Sequence, residues 1–241
     1  MRPFTRIATP FAVMLAFVAL SAAAQRHETR AVSGFHAIAL GAPIVVELVQ
    51  GDTESLTLDG NDAQLADLET VVEDGKLRIR SKDHGWFGSA NANMSQVIAH
   101  VTAKSIDGLA TAGSGDIRTA ALKTSSLKIA ISGSGDVRIG TLAADKLEVS
   151  ISGSGDVLVA GKADVVHTSI AGSGDMKAAR LESRESSVSI AGSGDAMLWV
   201  HDEIHVSVVG SGDVRYYGDP SIVKVSSVGS GSAKRLGASP S

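Results

Sequence analysis

The chain has 241 residues, with 22 basic and 26 acidic side chains and no cysteine. The lack of cysteine excludes disulfides, thiolate metal sites and thiol catalysis. Aromatic residues make up only 4% of the chain. A mildly acidic chain with few aromatic rings lacks both the basic face that phosphates require and the platforms on which bases stack. We therefore expect no nucleic-acid partner.

The first 24 residues have the pattern of a secretory signal peptide. Arg2 and Arg6 give a positive start, residues 7–20 are mostly apolar, and small residues follow up to Ala24. The apolar stretch is short for a membrane span, which favours cleavage after Ala24 over a transmembrane anchor. The pattern predicts a mature chain of 217 residues, periplasmic or secreted, with a net charge of −6 once the two arginines are removed.

Residues 25–110 are predicted to form a β-rich cap on the remainder of the fold. Asn61 to Leu68 has the pattern of a short helix with Asn61 as its cap, and Val71 to Ile79 that of a hairpin around Asp74-Gly75. Asp83 to Asn93 is polar and contains glycine and asparagine, which predicts a loop. Alternation of apolar residues predicts strands at Phe35–Leu40, Ile44–Val49, Leu56–Leu58 and Val97–Val101.

A four-residue phrase then recurs through the second half of the chain. Six copies read Gly-Ser-Gly-Asp, the seventh ends in serine, and successive copies lie 18 to 20 residues apart. A fixed period of this length is typical of a solenoid, in which each repeat stacks on the next. The copies begin at Gly113, Gly133, Gly153, Gly172, Gly192, Gly210 and Gly229.

The residues between the phrases alternate between apolar and polar. Before the copy at Gly153, Leu147, Val149 and Ile151 are the apolar set, and Val157 and Val159 follow it. This pattern predicts two or three short strands per coil, each with one buried face. We predict an all-β fold: a right-handed parallel β-helix of about 20 residues per coil over residues 111–236, followed by a tail at 237–241. The alternative is an antiparallel array with a hairpin at each phrase.

The repeated aspartates are expected to form a column along one edge of the solenoid. Carboxylates about 4.8 Å apart repel by roughly 1 kcal/mol in water, so they must face water, accept N–H groups or share cations. We expect each to accept N–H groups within its own turn. The alternative is calcium bound between coils, although calcium-binding coil repeats carry a different, nine-residue signature. The column consists of Asp116, Asp136, Asp156, Asp175, Asp195 and Asp213.

The sequence offers no catalytic or cofactor-binding constellation, and we assign no residue to either role. His201 and His205 suggest a metal site, but the alternation of Ile204, Val206 and Val208 places them on a strand, about 13 Å apart. That separation is too large for one ion, so we interpret both as surface histidines. The aspartate column is uniform, whereas acid–base catalysis requires carboxylates in unlike environments.

A set of short motifs extends over nearly all of the predicted mature chain. They are Glu28-Thr29-Arg30, Gly34-Phe35, Gln50-Gly51, Asp74-Gly75, the Gly-Ser-Gly-Asp series, Tyr217-Gly218 and Pro220. Together these motifs resemble the head GIN domain of autotransporter adhesins, and the resemblance implies an exported β-helical domain without catalytic residues. The chain departs from the pattern at Ser232, and no membrane β-barrel follows residue 241, so we expect periplasmic residence or release rather than surface display.

Three functional hypotheses follow. The first is a non-enzymatic binding domain whose partner is a glycan, an envelope component or another protein, docked along a sheet face. The second is an enzyme acting on polysaccharide, which requires a groove with unlike carboxylates and a basic residue from different coils. The third is a structural element, stabilised by calcium or assembled as a homo-oligomer through the ends of the coil.

Overall fold

The computed structural model describes residues 26–82 and 94–240 of the chain. The predicted signal peptide and the predicted loop at 83–93 lie outside these residues. The strands within them are β1 Arg26–Arg30, β2 Ala37–Gly41, β3 Val45–Gln50, β4 Ser55–Gly60, β5 Leu68–Glu73, β6 Lys76–Ser81, β7 Ile98–Ala103, β8 Gly108–Gly113, β9 Asp116–Lys123, β10 Ser126–Gly133, β11 Val137–Gly153, β12 Val157–Gly172, β13 Met176–Gly192, β14 Ala196–Gly210, β15 Val214–Tyr217, β16 Ile222–Gly229 and β17 Ala233–Gly237. Helix α1 covers Asp62–Ala66, and Met94–Gln96 forms a 3₁₀ turn.

The strands form two stacks that meet at the phrase, which is the corner of each coil. The leading sheet contains the strands that enter the corner, in the order β5-β6-β2-β8-β10, then the second halves of β11 to β14, then β16. The following sheet contains the strands that leave it, in the order β1-β4-β7-β3-β9, then the first halves of β11 to β14, then β15 and β17.

The corners lie directly over one another. Gly133 pairs with Gly153, Gly153 with Gly172, and so on to Gly229, always between parallel strands. The result is a β-solenoid of about 6 turns with about 20 residues per turn, which confirms the predicted fold class. The antiparallel hairpin array is wrong, because every pairing that joins successive corners is parallel. The right hand of the coil stays a prediction from the crossover rule.

The individual strands are longer than the sequence pattern indicated. β11 runs unbroken for 17 residues, and its bend is marked only by a shift in register between Ile139 and Leu142. Pairing continues around this bend, since residues 141–143 pair in register with residues 121–123 of the coil below. The interrupted alternation predicted separate short strands. Backbone pairing between stacked coils instead continues through the change of direction.

The apolar columns form one continuous core. Leu147, Val149 and Ile151 are each no more than 1% exposed, as the alternation predicted, and Leu142 at the bend is 1% exposed. Burial of such a side chain contributes about 1.5–3 kcal/mol, and the chain has no cysteine with which to supplement it. Packing and backbone pairing between coils therefore stabilise the fold.

The local predictions in the N-terminal segment are confirmed with small shifts. Asn61 caps α1 through a capping box with Gln64, in which both hydrogen bonds are 2.9 Å long. The helix ends at Ala66, because Leu68 already begins β5. Asp74 and Gly75 have φ values of +50° and +70°, as a two-residue hairpin turn requires.

The N-terminal segment also contributes strands to the stack itself. β2 pairs in parallel with β8, and β3 with β9, so these two strands form a layer directly below the first phrase. Beyond this layer β1, β4 and β5 pair antiparallel, and β1 was not anticipated from the sequence. The division of the chain at residue 110 stays a prediction. Within the described ranges, no helix is both long and apolar enough to cross a membrane.

Candidate functional site

The corner is held by backbone hydrogen bonds between coils. The carbonyl oxygen of Gly133 accepts the N–H of Ser154 at 2.9 Å and that of Gly155 at 3.1 Å. The same pair of bonds recurs at every corner from Ser134 to Gly231, with distances of 2.8 to 3.3 Å. The serine of the phrase thus contributes its backbone N–H, and its side chain remains exposed at each corner.

The six aspartates form the predicted column, and each accepts a hydrogen bond from the next coil. Oδ1 of Asp116 accepts the N–H of Asp136 at 3.1 Å, and the later steps measure 2.8 to 3.0 Å. The expectation that each carboxylate would accept N–H groups of its own turn is therefore corrected. From Asp136 onward, the N–H of each aspartate points along the stacking axis, where the carboxylate of the preceding coil lies. The ladder ends at Ser232, whose N–H and hydroxyl donate to Asp213 at 3.0 and 2.8 Å.

Basic side chains neutralise the second oxygen of these carboxylates. Each of three bridging cations contacts the aspartates of two successive coils within 4.0 Å, and Arg118 also contacts Asp116 at 2.9 Å. Sequence reasoning missed this second column, although its signal was a basic residue two positions after four of the aspartates. The bridges join Asp116 and Asp136 through Arg138, Asp156 and Asp175 through Lys177, and Asp195 and Asp213 through Arg215.

The two ends of the column show how these contacts affect ionisation. Partial burial acts to raise the pKa of Asp116, but the hydrogen bonds from Arg118 and Asp136 and the charge of Arg138 lower it below its usual value of 3.8. The hydrogen bonds from Ser232, followed by the charge of Arg215, lower the pKa of Asp213. The hydrogen bond that Lys177 donates to Asp156 raises the pKa of Lys177. The contacts therefore favour the charged forms.

Acid should destabilise this column. Asp116 and Asp213 have a lower pKa in the folded than in the unfolded chain. Their contribution to the free energy of unfolding is therefore complete at a pH above the pKa of the unfolded chain, and it is lost as the pH falls through the pKa of the folded chain. We expect the urea concentration at half unfolding to decrease as the pH is lowered from about 5 to about 3. The double variant Asp116→Asn/Asp213→Asn should show a smaller fall, and Asp145→Asn, at an exposed site, should behave like wild type. An equal fall in all three proteins would contradict the assignment.

Calcium binding by the aspartate column stays a prediction. Among the described residues, no three histidine, aspartate or glutamate side chains form a group that could hold a metal ion. A calcium ion between coils would have to displace the bridging cations from the second carboxylate oxygens. Thermal melting with and without calcium tests this interpretation, because a ligand of the native state raises Tm by mass action.

The two histidines considered as metal ligands lie on β14 and contact different carboxylates. His201 Nε2 is 2.9 Å from Glu182, and its ring lies 5.5 Å from that of Trp199. His205 contacts Glu203 on the same strand. His205 and Glu203 also line a shallow depression of about 260 Å³ together with His167 and Glu185. This depression brings carboxylates and histidines from three coils together, which the sequence did not indicate.

The outer face of the leading sheet carries rows of small polar side chains. Five exposed serines pair in register on successive coils, and each lies three residues before the phrase. A neighbouring column of Ser132, Ser152, Ala171 and Ala191 is also exposed, and it continues in register into the exposed Val209 and Val228. We call these two columns the serine face. The five serines are Ser150, Ser169, Ser189, Ser207 and Ser226.

The arrangement as a whole defines a parallel β-solenoid with a row of exposed serines on one outer face and an aspartate ladder contacted by basic side chains. The chain belongs to the family described as putative auto-transporter adhesin, head GIN domain, which it matches over residues 34–220. This membership confirms the resemblance inferred from the sequence. No curated protein matches the chain.

Solved structures share the fold. A putative adhesin from Bacteroides fragilis superposes with a TM-score of 0.83 at 26% identity, covering 88% of this chain and 97% of that one. A putative lipid binding protein from Parabacteroides distasonis has a TM-score of 0.72 at 24% identity, with coverage of 88% and 96%. A putative adhesin from Parabacteroides merdae has a TM-score of 0.69 at 22% identity, with the same coverage. The last two show a common fold alone.

Proposed function

We propose that the chain is an exported, non-enzymatic binding domain that docks an extended, hydroxyl-rich polymer of the cell envelope on the serine face. The observation that carries this proposal is the in-register row of exposed serines on five successive coils. Membership in an adhesin-like family supports a binding role. The leader-like residues 1–24 support export, with cleavage after Ala24 and residence in the periplasm or outside the cell.

The chemistry of the serine face fits a polysaccharide. A hydroxyl group both donates and accepts hydrogen bonds, so it matches a ligand whose polar groups are also hydroxyls. Successive coils place one serine of the row about every 4.8 Å, and the small side chains of Ser152, Ala171 and Ala191 lie beside the first three serines. An extended polymer aligned with the solenoid axis can therefore contact several coils at once, and many weak contacts add to a useful affinity.

Charged side chains border the serine face on one side. The neighbouring outward column contains Glu148, His167, His205 and Lys224, and Lys128 donates to Glu148 at 3.0 Å. Charged groups at the rim of a binding surface contribute to partner choice more than to affinity. We infer that this column selects among polymers while the serines supply the contact.

Polysaccharide cleavage is the second candidate, and the depression at Glu185 and Glu203 is where it would occur. A glycosidase requires a general acid whose pKa is raised. The hydrogen bond from His205, aided by the charge of Lys224, instead lowers the pKa of Glu203 despite its partial desolvation. An ionised Glu203 is a poor proton donor at neutral pH, which favours the binding function.

Substitution on the serine face should weaken binding. Ser189→Arg places a long charged side chain in the middle of the row and should lower affinity for the bound polysaccharide about tenfold or more, measured by calorimetry after a glycan-array screen. Leu158→Arg, at an exposed site on the following sheet, is the matched control and should bind like wild type. If the wild-type protein binds no envelope glycan, or if both variants bind equally well, the proposal is contradicted. Release of reducing ends that Glu203→Gln abolishes would favour the enzyme instead.

A further inference from the structure

The two ends of the solenoid differ in how they are covered. At the N-terminal end, antiparallel strands and helix α1 close the stack, and Leu65 and Leu68 there are 1% and 2% exposed. At the C-terminal end, β16 pairs only with β14, and β17 only with β15, among the described strands. Each of these two strands therefore has one edge without a partner among the described strands, and such an edge is a template for pairing with another strand.

The core columns continue into this uncovered coil. Val223 lies in register with Ile204, and Val225 with Val206. Ile204 and Val206 are 0% and 3% exposed, whereas Val223 and Val225 are 45% and 50% exposed. Terminal repeats of solenoids normally present a polar outer surface, because an apolar one associates. The same columns that form the core thus end in a surface suited to burial against a partner.

We propose that this end, formed by β16 and β17, is the interface of a two-fold dimer in which two solenoids meet end to end. Two copies of one strand edge can pair antiparallel, so the surface is self-complementary. Among the described strands β1 and β5 also pair on one side only, but α1 and the antiparallel strands cover the core at that end. An open edge beside exposed core columns is therefore found, within the described residues, only at the C-terminal end of a second copy. The contact therefore closes at two subunits and does not extend into a fibre.

The charges of the terminal coil are compatible with this contact. Its charged side chains are Lys224, Lys234 and Arg235. Lys224 lies 3.6 Å from Glu203, and Arg235 lies 3.4 Å from Asp219, so two of the three are neutralised within their own subunit. Ser232 occupies the place of the corner aspartate. The aspartate ladder thus ends before the surface, and no carboxylate of that column would meet its copy across the interface.

The size of the surface indicates a weak dimer. β16 has eight residues and β17 five. Stable interfaces use roughly 20–30 residues on each side, so we expect a Kd of about 1–100 μM. Sedimentation velocity of the purified protein across this concentration range should show a reversible equilibrium between monomer and dimer.

Substitution tests the location of the interface. The double variant Val223→Lys/Val225→Lys should remain monomeric over the whole range, because four added charges would be buried at the contact. Leu158→Lys, at a site 47% exposed on an inner coil, should dimerise like wild type. Circular dichroism on all three proteins checks that the coils below remain folded. A wild-type monomer throughout, dimerisation of the double variant, or growth beyond a dimer would each overturn the proposal.

Spin labels test the orientation independently, since a cysteine introduced into this chain is unique. Nitroxides at Ser226→Cys should give a distance shorter than about 30 Å between subunits. Nitroxides at Glu73→Cys, on the covered end, should be separated by more than about 70 Å, given a strand spacing of about 4.8 Å along both stacks. A short Glu73→Cys distance, or no distance between Ser226→Cys labels in the dimer, would show a different occupant or arrangement and overturn the proposal.

Discussion

The Gly153→Ala variant is expected to lose more than about 4 kcal/mol of unfolding free energy. Gly153 has a φ of +132°, a backbone conformation that L residues with a side chain rarely adopt, and its added Cβ would lie 2.3 Å from the carbonyl oxygen of Gly133. That oxygen cannot move away without loss of the hydrogen bonds it accepts from Ser154 and Gly155. Strain and steric overlap therefore act together on the contact that holds two coils in register.

Gly113→Ala separates these two effects. Gly113 also has a positive φ, of +95°, but a Cβ there meets nothing within 4 Å, because no Gly-Ser-Gly corner lies below it. We expect it to lose about 1–2 kcal/mol from backbone strain alone. Urea unfolding followed by circular dichroism measures both variants. Equal losses would show that overlap between stacked corners is not what requires glycine at Gly153.

The Asp156→Ala variant should lose about 2–3 kcal/mol. It removes the acceptor, 3.0 Å away, of the N–H of Asp175, and it leaves that partly buried N–H without its partner. It also takes from Lys177 the nearer of its two carboxylates, with Asp175 remaining at 3.5 Å. The acceptor loss dominates, because ion pairs at partly exposed sites contribute at most about 1 kcal/mol.

Asp156→Asn and Asp145→Ala are the matched controls for this prediction. The amide oxygen of asparagine can still accept the N–H of Asp175, so Asp156→Asn should lose less than about 1 kcal/mol. Asp145 lies on the same coil at an exposed site, and Asp145→Ala should change stability by no more than about 0.5 kcal/mol. A loss in Asp156→Asn as large as in Asp156→Ala would mean that charge, rather than the hydrogen bond, stabilises the column.

The periodicity of the sequence determined the architecture. Identical phrases at a nearly constant spacing can satisfy their backbone groups by stacking in parallel, and alternation on either side of each phrase places Leu147, Val149 and Ile151 inside. The local signals were equally direct, since Asn61 and Gln64 form a capping box and Asp74-Gly75 forms a tight turn through contacts between near neighbours in the chain. The repeated Asp136 and Asp156 likewise predicted a column, because equal spacing implies equal position.

Only the tertiary structure decided which groups the column contacts and which surfaces remain open. Whether Asp156 accepts an N–H of its own coil or of the next depends on how the corners are oriented, which spacing does not specify. The bridging of Asp156 and Asp175 by Lys177 depends on side chains from different coils. The pairing of β1 with β4 and the exposure of Val225 depend on what covers each end of the stack. A repeat pattern describes the interior of a solenoid, whereas its ends and cross-coil contacts arise where the repetition stops or side chains reach beyond their own repeat.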